Sequence, residues 1–228
     1  MTEMTSKQRL TAALRQEEVD HVPCAPAFWT GKPDYQAFTW NNQDAYLAHM
    51  LQQLDADAAV RFSVGSPMPP YQSWTETVEN AEYPLLHSKL ATRRGELRAT
   101  VRKSEDYEDE HVRLFSDWTG SRYVRPWIET MEDAGKFASV YQPPTDADVA
   151  HAREQLAALR KLANKWQVEI VGHLGFALSG VIHAMGAEQG ALLAMDRPEV
   201  IDVFMGAVYR NLERALDVLL DLGVTTRF

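Results

Sequence analysis

The stretch Val168-Glu169-Ile170-Val171-Gly172-His173 decides the fold. It is short, apolar and rich in β-branched residues, and long helical patterns flank it on both sides. It therefore reads as a buried strand. Upstream, Thr145 or Asp146 starts a helix that ends near Trp166. Val149, Ala152, Leu156, Leu159 and Leu162 mark its buried face. Downstream, Gly175 to Gly180 forms an exit loop. Helices are expected at about Ser179–Ala187, Ala191–Met195 and Pro198–Leu222. Gly223 reads as the C′ glycine of the last one, and Val224-Thr225-Thr226 would begin a further strand.

The same alternation extends toward the N-terminus. Thr5-Ser6-Lys7-Gln8 opens a helix that Thr5 or Ser6 can cap, with Leu10, Ala13 and Leu14 on one face. Val22 to Trp29 is a short apolar run that suits a buried strand, although Pro23 and Pro26 confine it to a strand start or an irregular one. Asn42 caps the next helix, which carries Tyr46, Leu47, Met50, Leu51 and Leu54. Asp55-Ala56-Asp57 then turns the chain into a strand at Ala58–Val64. Between about Trp74 and Val124 the pattern is strand-like, with Leu85–Leu90 and Glu96–Val101 flanking Arg94-Gly95 as a hairpin. Thr130-Met131-Glu132-Asp133 forms a capping box on a short helix. Helices alternating with short buried strands predict an α/β architecture with parallel strands. The chain reads as a single domain over residues 1–228, with a hairpin insert near 74–124.

Composition narrows the function. The formal net charge is −9. The densest basic stretch, Arg93 to Lys103, is cancelled by Glu105 to Glu110 directly after it, so nucleic acid is not an expected partner. The one cysteine, Cys24, excludes an internal disulfide and fits a reducing cytoplasm. No apolar run approaches the ~20 residues of a membrane helix.

Several stretches together resemble one family. Ser6 to Arg15 followed by Asp20-His21-Val22-Pro23 is similar to the opening of uroporphyrinogen decarboxylase-like proteins. Thr92-Arg93-Arg94-Gly95-Glu96-Leu97 resembles their T-x-x-G-x-L stretch, and Ile128 to Asp133 their I-K-T-x-E-D. Gly186-Ala187-Glu188 through Asp196-Arg197-Pro198-Glu199-Val200 resembles their G-x-E … D-x-P-E-x-V segment. The resemblance implies a TIM (β/α)₈ barrel with its site at the carboxyl ends of the strands. A complete barrel needs about 250 residues or more. The family continues well past the point that matches Phe228, so the resemblance implies an incomplete barrel, its N-terminal half to two-thirds.

The superfamily holds porphyrinogen decarboxylases and corrinoid-dependent methyltransferases. The decarboxylases carry an R-Q-A-G-R stretch after the first strand, where this chain has Phe28-Trp29-Thr30-Gly31-Lys32, and no arginine occurs between Arg15 and Arg61. They also carry an aspartate in F-S-D-I, where Phe62-Ser63-Val64-Gly65 stands here. A valine can neither bind pyrrole N–H groups nor stabilise a developing cation. The resemblance therefore points by exclusion to methyl transfer between a corrinoid and a thiol or other acceptor. The alternatives are a lyase acting on a porphyrinogen-like tetrapyrrole, and a non-catalytic tetrapyrrole- or corrinoid-binding protein or inactive fragment. The zinc ligands of the methyltransferase branch lie downstream of Phe228, so zinc and a corrinoid are implied for the longer protein and no metal site for this chain alone. The partner is a small molecule or a corrinoid protein, and self-association into a homo-oligomer stays open.

His173, at the end of a barrel strand, and His183, where the decarboxylases place a site tyrosine, are the candidate acids or bases. Each also fits a plainer role: a strand-end histidine bonded to a carbonyl, and a helix-face histidine over a core edge. Trp29, Trp40 and Trp74 sit in or beside loops after the early strands. They are candidates for an aromatic substrate lining, against loop packing as the alternative.

Overall fold

The computed structural model describes residues 3–25, 42–65, 68–79, 81–107, 109–116, 119–224 and 226–227. The elements run α1 (Ser6–Leu14), α2 (Gln43–Ala48), β1 (Ala59–Ser63), β2 (Gln72–Glu76), β3 (Leu85–Thr92), β4 (Gly95–Arg102), β5 (Tyr123–Arg125), α3 (Met131–Val140), α4 (Asp146–Trp166), β6 (Glu169–His173), α5 (Ser179–Met185), α6 (Ala187–Asp196), α7 (Pro198–Asp221) and β7 (Thr226–Arg227). The chain divides into two compact units. The first comprises Met1–Val64, Asp146–Leu174 and Asp217–Phe228. The second comprises Gly65–Thr145 and Gly175–Leu216.

The first unit is built on a parallel sheet ordered β1-β6-β7. Alternation along β1 buries Val60 and Phe62 and exposes Arg61 and Ser63. The buried face packs on helices. Phe62 and Val64 join Ala152 and Leu156 of α4 and Val218 and Leu219 of α7. Val60 joins Leu47 and Met50 with Ala163 of α4. The α4 residues fall at spacings of four and seven, one stripe of a 3.6-residue helix. Each such large apolar side chain removed from water stabilises by about 1.5–3 kcal/mol. α7 ends in a Schellman motif: Gly223, at φ +73°, donates to Leu220 O and Val224 to Leu219 O, both at 2.9 Å. The turn delivers the chain to β7, which pairs with β6 through Val171↔Thr226.

α1 lies at the amino-terminal end of this sheet. Thr5 caps it in a capping box with Gln8. Ser6 Oγ bridges Ala58, donating to its carbonyl at 3.2 Å and accepting from its N–H at 2.9 Å. The buried Arg9 guanidinium donates to both Asp20 oxygens, at 2.6 and 2.9 Å, and to Asp57 Oδ1 at 2.6 Å. Asp57 Oδ2 accepts from the Cys24 N–H at 3.0 Å. Arg9, Asp20 and Asp57 therefore form an ion-pair node that is largely shielded from solvent.

The second unit holds an antiparallel sheet ordered β2-β3-β4-β5. Arg93 and Arg94 form the two-residue hairpin turn, and Gly95 at φ +114° takes a conformation closed to most L-residues. Leu86, Leu90, Leu97, Ala99 and Val101 alternate onto one sheet face. They share a core with Trp127, Ile128, Phe137, Met185, Val200, Phe204 and Val208. Thr130 caps α3 in the expected box with Asp133. Gly180 lets α5 approach closely, since a Cβ there would sit 3.2 Å from the Phe115 ring and 3.5 Å from Phe204.

The expected fold is seen in its coarser part, and one expected strand is not formed where it was placed. Among the described residues the parallel strands form an open three-stranded sheet and no closed barrel. The architecture shown is mixed α/β. The first strand expected at Val22–Trp29 is not formed over Val22–Ala25, which is irregular, with Val22 83% exposed. Pro23 removes a ladder donor there, and the backbone of Cys24 pairs with Asp57 instead, its carbonyl accepting from Asp57 N at 2.7 Å. The rest of that run lies outside the described residues. β3 and β4 form the centre of a four-stranded antiparallel sheet with its own core.

Candidate functional site

The carboxyl ends of β1 and β6 meet in register, with Ser63 opposite His173 and Arg61 opposite Val171. Strand alternation places Arg61, Ser63 and His173 on the face away from α4, and all three are exposed. Arg61, Ser63 and His173 thus lie on one face of the sheet toward the carboxyl ends of its strands, where parallel α/β sheets bind ligands. The opposite end is different in kind. An open cavity of about 680 Å³ lies there against α1, lined by Thr5, Gln8, Thr11, Arg15 and Gln167 among others. In barrel-like sheets that end serves stability rather than chemistry.

His183 lies in the second unit, on α5, and is buried. The Phe176 ring meets it edge-on, with centroids 4.6 Å apart and planes at 87°. Its backbone carbonyl accepts from the Tyr123 hydroxyl. Burial pushes the Tyr123 phenol well above its ordinary range, so it acts as a neutral donor there. His173 and His183 belong to different units.

Trp74 stands on β2, 46% exposed, its ring stacked on His87 of β3 at 5.1 Å and 12°. His87 Nε2 lies 2.9 Å from Glu76 Oε2, and His87 Nδ1 lies 2.9 Å from Thr100 Oγ1 of β4. A carboxylate only accepts, so Nε2 carries the proton donated to Glu76, and in the neutral ring Nδ1 accepts from the Thr100 hydroxyl. The chain of carboxylate, imidazole and hydroxyl resembles a nucleophile relay, but Thr100 is buried at 8% exposure and no reactant can reach its oxygen. Sequence reading missed His87, Glu76 and Thr100. Period-two alternation across the hairpin could have found them, since it places all of them with Trp74 on one sheet face. Trp29 and Trp40 lie outside the described residues.

Among the described residues, no three His, Cys, Asp or Glu side chains converge to hold a metal ion, and Cys24 is exposed. Among the same residues, no helix is long and apolar enough to cross a membrane.

No protein-family model matches the chain, and neither the curated proteins nor the solved structures include one significantly similar to it.

Proposed function

We propose that these residues belong to a barrel-type enzyme of the uroporphyrinogen decarboxylase-like superfamily, acting in methyl transfer between a corrinoid and a thiol or other acceptor. One observation carries the reading. The parallel sheet β1-β6-β7 has its helix-packed apolar face on one side and a polar face bearing Arg61, Ser63 and His173 on the other. An open doubly wound sheet is apolar on both faces, whereas a barrel keeps its helices outside and turns its polar strand ends to the substrate.

The decarboxylase alternative has a specific observation against it. Val64, at the position of the family's aspartate, is buried in the apolar cluster with Phe62 and Leu156. An aspartate side chain packed that way would face helices, not substrate. The non-catalytic alternative would use Trp74, whose exposed ring face offers a stacking surface for a tetrapyrrole.

The test is anaerobic incubation of a longer form, one that supplies the zinc ligands the resemblance implies, with methylcobalamin and a small thiol, following loss of methylcobalamin absorbance. Turnover is expected, and His173→Ala should slow it by about 100-fold or more if the imidazole acts as acid or base. Coproporphyrinogen formed from uroporphyrinogen would replace this reading with the decarboxylase. Corrinoid binding without turnover would replace it with the binding protein.

A further inference from the structure

We infer that Ser73 and His111 of the second unit form a nucleophile and its base, competent to take an acyl group from an ester onto the Ser73 hydroxyl. This pair is independent of the methyl-transfer reading, so either can fail without the other.

The direction of the hydroxyl protons is the first observation. Ser88, on β3, is fully buried, and its Oγ accepts from the Val112 N–H at 2.8 Å. Ser73, its register partner on β2, places Oγ 2.6 Å from Ser88 Oγ. A buried hydroxyl hydrogen left without an acceptor is costly. With a donor already on one side, Ser88 gives its hydrogen to Ser73. Ser73 Oγ in turn lies 2.9 Å from His111 Nδ1. Having accepted from Ser88, it directs its own hydrogen to the ring nitrogen, and the neutral imidazole carries its proton on Nε2. Bonds aligned from Val112 through Ser88 and Ser73 to His111 thus set a serine hydroxyl against a neutral imidazole. This is the pairing by which nucleophilic serines are activated.

Positioning of the imidazole is the second. The His111 carbonyl accepts from the Tyr107 hydroxyl at 3.1 Å, and burial pushes that phenol well above its ordinary range, which keeps it a donor. The His111 ring stacks on Tyr71, with centroids 5.6 Å apart and planes at 17°. Tyr71 is itself held, because its hydroxyl accepts from Leu114 N at 3.1 Å. Both the backbone and the ring of the base are therefore fixed by groups other than the nucleophile.

Exposure is the third. Thr100, at the end of the His87 chain, is only 8% exposed. Ser73 instead lies on β2, an edge strand of its sheet, and both Ser73 and His111 are half-buried.

In the step, Ser73 Oγ attacks the ester carbonyl carbon while its proton passes to His111 Nδ1. The bond from that carbon to the alcohol oxygen breaks, and the imidazole returns the proton to the departing oxygen, leaving acyl-Ser73. Water then attacks the acyl carbon with His111 again as base, and the carboxylic acid is released.

The experiment treats the full chain with p-nitrophenyl acetate, follows nitrophenolate release and locates acetyl groups by peptide mapping. In the wild type, Ser73 should be acetylated well ahead of the other serines, a measurement that needs no variant. H111Q should slow acetylation of Ser73 by about 100-fold or more, and S73A should remove the fast phase of nitrophenolate release. H151Q, which removes an exposed imidazole on α4, should leave the fast phase unchanged. Circular dichroism of each variant reports whether it keeps its fold. If Ser73 is acetylated no faster than the other serines, or if a folded H111Q acetylates it as the wild type does, the inference is overturned.

Discussion

The two sheets of this chain reach their pairings by opposite routes. β3 and β4 are joined by Arg93 and Arg94 alone and pair over eight positions from Leu85↔Arg102 to Thr92↔Gly95. β1 and β6 meet only after the chain has built most of the second unit and returned along α4, so that Ser63 finds a partner more than a hundred residues away. The outward polar groups differ accordingly. On the antiparallel sheet Glu76, His87 and Thr100 satisfy one another, and Lys89 and Arg98 share Glu96. On the parallel sheet β1 puts Arg61 and Ser63 on its exposed side. Polar groups that saturate each other stabilise, while ligands of parallel α/β sheets bind outside the carboxyl ends of the strands.

The largest expected effects test whether each unit has the core described for it. Phe204 is fully buried against Phe137, ring centroids 4.7 Å apart. Phe204→Ala should cost about 3–5 kcal/mol, read as a lowered urea midpoint and lost amide protection in β3 and β4. Arg9→Leu should cost the first unit a similar amount, about 3–5 kcal/mol, because it leaves the buried Asp57 without its countercharge. A loss under about 1 kcal/mol in either variant, on the mutational scale for such cores, would show that the unit is held elsewhere.

The Arg9 node also has a pH signature. The Arg9 hydrogen bonds hold the Asp20 carboxyl well below its ordinary range. A carboxyl depressed in the folded state contributes stability that is complete above the unfolded value, about pH 4, and is lost as pH falls below it. Stability should therefore decline on acidification from about pH 4 downward, and Asp20→Asn should flatten that decline. An unchanged acid limb in Asp20→Asn would mean that the pair contributes nothing to folding.

What was legible in the sequence follows the same division. Thr5, Asn42 and Thr130 announced their helices because a cap acts within three residues of itself. Gly95 and Gly223 announced a turn and a helix stop because positive φ is a local demand. The strands β1 and β6 were visible as apolar runs, but nothing local states that Ser63 lies beside His173. The fate of His183 was hidden for the same reason, since burial against Phe176 is a tertiary fact. Pro23 was read as a disturbance in a strand, and its effect was stronger: Val22–Ala25 gives up the strand and answers Asp57. The relay through His87 was missed because Glu76 and Thr100 are unremarkable until the hairpin register aligns them.

A smaller effect is expected at α3. Thr130→Ala removes the cap that accepts from Asp133 N at 3.1 Å and should cost about 1 kcal/mol, seen in the unfolding midpoint of the second unit. Serine at the same position should restore most of the loss, since its hydroxyl makes the same bond.

The smallest effect bears most directly on the contrast between the sheets. Trp74 and His87 are a cross-strand pair, and Trp74 keeps one ring face in solvent. Such pairs contribute about 0.2–1 kcal/mol, so a double-mutant cycle of Trp74→Ala with His87→Gln should give a coupling in that range. If the antiparallel face is saturated and structural, the two substitutions should lower stability and leave corrinoid binding as it was. Arg61→Gln should barely move the unfolding midpoint, because its side chain is exposed. Loss of corrinoid binding in Trp74→Ala would invert the assignment. The tryptophan would then be stacking a tetrapyrrole ring on its open face, and the antiparallel sheet, not the parallel strand ends, would be the surface that meets the ligand.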